Sequence, residues 1–305
     1  TFTLNQVISG TRTLKLTPAT SSHAWKYQTD PPPLSTGCLT FGDWAEAPGN
    51  TPPVSIDFYP YELQKFTGTS SSLSPVPDGT YTERVDWLRP DAHWLMNDAG
   101  ATLTDSRGNE DGTIVGSPLL QQTSIDPDGT LCIDFDGTSD WVTFLHDGTT
   151  NGLSWSGWIQ PDVEDTATRV VYKAGGSTNG VHSYVYDGDF YVVLAQNSAA
   201  QAVCSVPVAV ATAQHITWSC DLNSNTLVLF SDGLFVSSDS RAALWGAAQS
   251  GGTGTAYIAY ADTVRDHTGA APTPAAFDGK ISNVAVWGRP LADWEMRYLR
   301  LGVNG

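Results

Sequence analysis

The stretches LCIDFDGTSDWV (residues 131–142) and FDGKISNVAVWGRPLADWEMRYL (residues 277–299) decide how this chain folds. In the first, an Asp136-Gly137 turn joins two runs in which β-branched or aromatic residues recur at every second position, the pattern of a half-buried hairpin. In the second, Asp278-Gly279 leads into one strand. Alternation places Ile281, Asn283, Ala285 and Trp287 on one of its faces and Ser282, Val284 and Val286 on the other. Both faces are largely apolar, so the strand is expected to be covered on both sides. A short helix is expected near residues 291–299, with Pro290 suited to its first turn and Asp293 and Glu295 near the positive end of its dipole.

Outward from these segments the same rhythm continues. From His93 onward, short strand candidates follow one another between residues 113 and 287, separated by turns such as Asp187-Gly188, residues 223–225 and Asp232-Gly233. No long stretch has helical periodicity. This spacing predicts an all-β fold, a two-sheet antiparallel jelly-roll sandwich over residues 91–305. Residues 1–90 differ, because Pro-rich breaks at 31–33, 52–53 and 75–77 and a Ser-rich turn at 69–74 interrupt every strand candidate. Those candidates, at 11–16, 39–41, 54–59 and 80–88, predict a smaller N-terminal β domain that needs a partner surface to complete its core.

Charge is the second strong signal. Against 32 acidic residues stand 15 basic ones, only five of them Lys, for a net charge of −17 over 305 residues. Nucleic acid is excluded as a natural partner. The balance fits adaptation to high salt, where the screening length falls to about 3 Å at 1 M, and equally an ordinary acidic extracellular protein. No run is long enough to span a membrane. The opening TFTLNQVISG lacks the basic start and apolar core of a secretion signal.

The four cysteines, Cys38, Cys132, Cys204 and Cys220, lack the CxxC spacing of a metal site. Cys220 shares a strand face with Ile216 and Trp218, as a buried free thiol does; a Cys204–Cys220 bridge between neighbouring strands is the alternative.

In order along the chain, HWLMND from His93, DSRGNEDGTIVG from Asp105, FDGTSDWV from Phe135, LSWSGWIQPD from Leu153, HITWSCD from His215, LFSDG from Leu229 and FDGKISNVAVWGRPL from Phe277 resemble the landmarks of laminin-G-like domains, members of the concanavalin A-like lectin and glucanase jelly rolls. One departure is Gln214, where that family often has Trp. The resemblance implies binding to glycans or proteins more often than catalysis, and names no ligand.

Catalysis on such a jelly roll calls for two carboxylates roughly 5 to 9 Å apart across a sugar. The chain has six Glu and lacks the Glu-x-Asp-x-Glu pattern of the family's glucanases; Asp162, Glu164 and Asp165 follow Pro161 and read as a solvated loop. Neither a Gly-x-Ser-x-Gly elbow nor a His-Glu-x-x-His motif occurs. Calcium is a candidate ligand for Asp105, Asn109 and Asp111, with Asn283 on the last strand as a further donor, in competition with ordinary turn chemistry. Trp245, in the loop 242–254, is the best exposed ring for sugar stacking, with Tyr186, Asp187 and Asp189 around a hairpin turn as a second candidate.

The chain thus reads as a non-enzymatic surface module. Residues 1–90 attach it to other virion or surface proteins, as part of an oligomer, and the jelly roll faces outward toward a cell-surface glycan. A virion decoration, spike or fibre protein of a halophilic host's virus fits these expectations, at the virion surface or outside the cell. A secreted carbohydrate-binding module or glycoside hydrolase is the competing reading, and a ligand-free structural capsid element the third.

Overall fold

The computed structural model describes residues 79–146, 152–175, 180–196, 200–221, 224, 226–240 and 254–301, and the backbone of three strands nearer the N-terminus. The chain divides into two compact units, Thr1–Leu73 and Ser74–Gly305. In the first, β1 (Phe2–Asn5), β2 (Thr13–Pro18) and β3 (Trp25–Gln28) form an antiparallel sheet in sequence order. The strand candidates at 39–41 and 54–59 lie outside the described residues.

The second unit is a sandwich of two sheets. One comprises β4 (Ala92–Trp94), β7 (Leu119–Gln122), β8 (Cys132–Asp136), β10 (Gly152–Pro161), β15 (Gln214–Asp221), β16 (Thr226–Ser231), β17 (Leu234–Ser240) and β20 (Asp278–Trp287). Its order is β17-β16-β15-β10-β20-β8-β7, with β4 also on β20. The other comprises β5 (Thr102–Leu103), β6 (Gly112–Val115), β9 (Trp141–His146), β11 (Arg169–Gly175), β12 (Gly180–Tyr186), β13 (Asp189–Gln196), β14 (Ala200–Pro207), β18 (Gly254–Ile258) and β19 (Ala275–Ala276). Its order is β14-β13-β12-β11-β18-β9-β6-β5, with β19 parallel to β11. The jelly-roll sandwich expected over this region is the fold observed. Trp94, Trp155, Trp218, Tyr172, Phe135, Phe190 and Phe277 fill the space between the sheets at 0–1% exposure. Each contributes roughly 1.5–3 kcal/mol of burial.

The two opening segments meet in a way alternation alone does not reveal. Asp278 stands opposite Asp136 and Gly137 N donates to Phe277 O at 3.1 Å, so the two FDG turns pair with each other. The Asp136-Gly137 turn is not a hairpin: β8 lies in the eight-stranded sheet and β9 in the nine-stranded one. The Asp136 carboxylate accepts from Thr138 N and Ser139 N, both at 2.8 Å, and from both hydroxyls, which braces the chain as it crosses between sheets. On β20, both faces are covered as expected, but the alternation changes phase. Two residues, Asn283 and Val284, face one on β10, Gly157, forming a bulge with Asn283 at φ +53°. Ile281, Val284 and Val286 therefore enter the inter-sheet core, while Ala285 and Trp287 face outward. A Cβ on Gly157 would stand 2.8 Å from the Trp155 ring.

Residues 80–88, expected as a strand, form α1 (Tyr81–Trp87). A capping box decides it: Thr80 Oγ1 accepts from Glu83 N at 3.2 Å and Glu83 Oε2 accepts from Thr80 N at 2.9 Å. Tyr81, Arg84, Val85 and Leu88 then share one buried face at helical spacing. With α2 (Asp293–Leu301), α1 covers the outer face of the eight-stranded sheet over Trp158, Phe230, Ala285 and Trp287. Arg84 Nε ties the helices by donating to Leu299 O at 2.8 Å. α1 accordingly belongs with the sandwich in the unit Ser74–Gly305. Pro290 sits just ahead of α2, whose start is held by Glu295 Oε2 accepting from Ala292 N at 2.8 Å.

Candidate functional site

Strand alternation sends Val142, Phe144, Phe190, Val192 and Ile258 into the core and their neighbours Trp141, Thr143, Tyr191, Val193 and Tyr257 to the outer face of the nine-stranded sheet. Register aligns Lys173 with His182 and Tyr257, Tyr184 with Tyr191, and Tyr186 with Asp189. An aromatic band thus runs across β9, β18, β12 and β13.

Residues 259–270 leave β18 and fold back over this band. The turn begins at Ala259 in the left-handed region, φ +67°, a conformation that costs a non-glycine residue roughly 1–2 kcal/mol. Ala261 and Val264 are fully buried against Val170, Tyr184 and Val193. Arg265 N donates to His182 Nδ1 at 3.1 Å, and the buried Lys173 ammonium pairs with Asp262 beneath the loop, 5.4 Å from the Tyr257 ring centroid. The Asp266 carboxylate accepts from Thr268 N and Ala270 N, each at 2.9 Å.

The loop delivers one ring at each end. Tyr260 stacks on Trp141 with centroids 4.7 Å apart and planes at 26°, edge-on to Tyr257 at 5.8 Å. His267 stacks on Tyr191 at 4.3 Å and 16°, lies 5.4 Å from Tyr186, and donates its backbone N–H to Tyr184 Oη at 2.6 Å. Trp141, Tyr257, Tyr260, Tyr186, Tyr191 and His267 are all half-buried. Burial raises the Tyr184, Tyr191 and Tyr257 hydroxyl pKa values, with Asp189 adding to it at Tyr191 and Asp262 at Tyr257, so these groups remain neutral hydrogen-bonding tips. Burial pushes the Asp262 carboxyl up, but the Lys173 hydrogen bond and charge outweigh it and hold the group below the ordinary range. Two half-exposed aromatic platforms flank a braced, polar loop, an arrangement suited to the apolar faces and hydroxyls of sugars.

Of the residues singled out in the sequence, Tyr186, Asp187 and Asp189 lie at the edge of one platform. Asp187-Gly188 forms the expected two-residue turn, with φ +49° and +79°. Tyr191, His267, Trp141, Tyr257 and Tyr260 were not singled out; the period-two spacing of Tyr184 and Tyr186 was the available signal for that face. Trp245 lies outside the described residues.

The calcium candidates do other work in this structure. Asp105, 3% exposed, accepts backbone N–H bonds from His93 and Arg107 on Oδ1 and from Asn109 and Glu110 on Oδ2, at 2.8–3.0 Å. Asp111 Oδ1 accepts from Asp105 N at 2.9 Å. Asn283 belongs to a different set, bonded to Asp126, Thr82, Thr130 and the His93 ring. Among the described residues, no three His, Cys, Asp or Glu side chains form a metal-holding group.

A Ser–His pair also occurs. Ser156 Oγ lies 2.9 Å from His215 Nε2 and 2.8 Å from Tyr81 Oη, but both residues are at most 1% exposed and His215 Nδ1 has no partner to orient it. Burial, then the nearby Arg300 and Arg84 charges, push the imidazole down to about 3. The pair is a sealed brace under α1. Asp165 of the acidic loop is held by Arg169 at 2.6 Å, which lowers its pKa. Cys132, Cys204 and Cys220 are buried free thiols. Cys204 and Cys220 sit on opposite sheets, unbridged.

The sequence pattern of the concanavalin A-like lectin/glucanases superfamily matches residues 136–296, more than half of the chain. The chain belongs to this superfamily. Solved structures similar to this superfamily member include the binding domain of botulinum neurotoxin DC with rat synaptotagmin II, at TM-score 0.53 and 13% identity over 69% of this chain and 50% of that one. The same domain with SialylT gives 0.51 and 13% over 68% and 51%. The receptor binding domain of the botulinum neurotoxin C/D mosaic serotype gives 0.54 and 11% over 70% and 51%. The chain therefore spans about half the length of these structures, and at such identities the likeness is one of fold. Among curated proteins, none matches the chain. No helix among the described residues is long and apolar enough to cross a membrane.

Proposed function

We propose that this superfamily member is a non-enzymatic carbohydrate-binding module that engages its ligand on the loop-crossed outer face of the nine-stranded sheet. The pair of half-exposed aromatic platforms, Trp141/Tyr260 and Tyr191/His267, carries this reading. The neurotoxin domains of similar fold, one solved with SialylT and one with synaptotagmin II, support a binding role for this type of sandwich. In keeping with the two-unit chain and its −17 charge, residues 1–73 attach the module to a virion or other extracellular assembly and the jelly roll is presented outward.

The hydrolase alternative has one foothold. Asp134 and Asp278 both have carboxyl pKa values raised by burial. A cation stands by each, Lys280 Nζ at 3.9 Å from Asp134 and Arg169 at 4.0 Å from Asp278, as in a structural charge network. A glycan array probed with the full chain tests the proposal. Binding that is lost in Trp141→Ala or Tyr191→Ala, with the circular dichroism spectrum unchanged, supports it. Polysaccharide turnover abolished by Asp134→Asn or Asp278→Asn establishes the hydrolase instead.

A further inference from the structure

We infer that the ligand of this face is an extended, uncharged polysaccharide chain lying across the strands and occupying both platforms at once, rather than a terminal or acidic sugar. The inference rests on the reading of the face as a carbohydrate-binding surface and adds the class of carbohydrate.

Three observations carry it. First, the platforms are far apart yet aligned. Tyr191 is on β13 and Trp141 on β9, four strands away in the order β13-β12-β11-β18-β9, a span of about 19 Å at the usual strand spacing. Register sets both toward the Asp187-Gly188 end of the sheet, so the line joining them runs across the strands. One sugar ring reaches one platform only; a chain of several units reaches both. Second, the ground between them is polar. The loop shows solvent the Asp262 carboxylate together with Thr263 and Thr268, groups that bond to sugar hydroxyls. Its position is fixed by the buried Lys173 beneath it and by Ala261 and Val264, so the distance between platforms is built in before a ligand arrives. Third, the face is acidic. Among the described residues of this face, Asp187, Asp189, Asp262 and Asp266 stand with two cations: Lys173 is paired with Asp262, and Arg265 Nη1 donates to Gly269 O at 2.8 Å. A carboxylated or sulfated chain meets like charge at Asp187, Asp189 and Asp266, beside the Tyr191/His267 platform, and an uncharged one does not.

Titration calorimetry of the full chain against a ladder of uncharged linear gluco- and manno-oligosaccharides, dimer to hexamer, tests this after an array carrying long neutral, long anionic and short terminal glycans. Affinity is expected to rise by about tenfold or more between the dimer and the length that reaches both platforms, and then to level off. Trp141→Ala and Tyr191→Ala should each bring the hexamer down to near dimer affinity. A carboxymethylated chain should bind at least about tenfold more weakly, with the gap closing as salt is raised. Equal affinity for dimer and hexamer overturns the inference, as does insensitivity to either platform or preference for sialylated or sulfated ligands. Equal affinity, dependence on one platform alone, or preference for sialylated or sulfated ligands leaves the reading of this face as a carbohydrate surface standing; insensitivity to both platform substitutions overturns that reading as well. Binding to no glycan on the array overturns both.

Discussion

Acid should unfold this sandwich partly through a single buried imidazole. His215 is 1% exposed, packed between Tyr81 at 5.0 Å and Trp158 at 5.3 Å, with Nε2 at 2.9 Å from Ser156 Oγ and no partner on Nδ1. A proton added to it would sit unsolvated near Arg84 and Arg300, and its pKa is accordingly lowered from 6.5 to about 3. Above pH 6.5 the ring is neutral in both folded and unfolded chains and costs nothing. Below that the unfolded chain takes up a proton the folded one refuses, so stability falls with pH until about 3. At pH 5 the difference is 1.5 pH units, about 2 kcal/mol at 1.36 kcal/mol per unit. Urea unfolding of the jelly roll, followed by tryptophan fluorescence near pH 7.5 and pH 5, reads this directly. His215→Gln keeps a polar group near Ser156 but cannot titrate in this range. The variant should be less stable at neutral pH, because it loses ring packing, yet should lose about 2 kcal/mol less than the parent on acidification. Parallel losses in the two proteins would refute the reasoning, since the remaining titrating groups are common to both.

Three further outcomes are expected. A chain beginning at Ser74 should fold as a sandwich, whereas one beginning at Asp91 lacks Tyr81, Val85 and Leu88. At roughly 1.5–3 kcal/mol each, the shorter chain should lose about 5 kcal/mol or more, visible as a collapse of its thermal midpoint. Because the net charge is −17, the midpoint of the full chain should rise clearly between about 0.1 M and 2 M salt; a flat response removes the salt-adaptation reading. Asp105→Ala orphans four backbone N–H groups and should cost about 3 kcal/mol or more in urea, with calcium leaving the parent midpoint unmoved, since those amides already occupy both carboxylate oxygens.

What the sequence made legible, and what it hid, follows from the range over which each signal acts. Turn chemistry is local. Asp187-Gly188 and Asp232-Gly233 therefore named their hairpins, both with positive φ at the two turn residues. Period-two alternation is also local and marked β8, β9 and β20, but it does not say which strands pair. The Asp136-Gly137 turn read as a hairpin although Thr138 and Ser139 were bonding its Asp to carry the chain between sheets. At residues 80–88 two local signals competed. The β-prone residues Tyr81, Val85 and Trp87 suggested a strand, whereas Thr80 with Glu83 at capping-box spacing, and Tyr81, Val85 and Leu88 at helical spacing, set a helix.

The site is hidden for the same reason at longer range. Trp141, Tyr191, Tyr257 and His267 are distributed over 127 positions of sequence, and only the register of β9, β18, β11, β12 and β13 sets them on one face. The loop that unites them is held by a contact no local pattern announces, Lys173 of β11 reaching Asp262. A Lys at 2% exposure is expensive unless paired. In a chain with only five lysines, placing one under a loop whose two ends carry the stacked rings ties a specific electrostatic contact to the geometry of the face. Lys173→Met would keep most of the packing and release Asp262. If the loop were held by its apolar anchors Ala261 and Val264 alone, both aromatic stacks would survive that change. If Lys173 sets the loop's path, Tyr260 and His267 lose register with Trp141 and Tyr191 together, and near-ultraviolet circular dichroism from the stacked rings should drop while the far-ultraviolet spectrum holds.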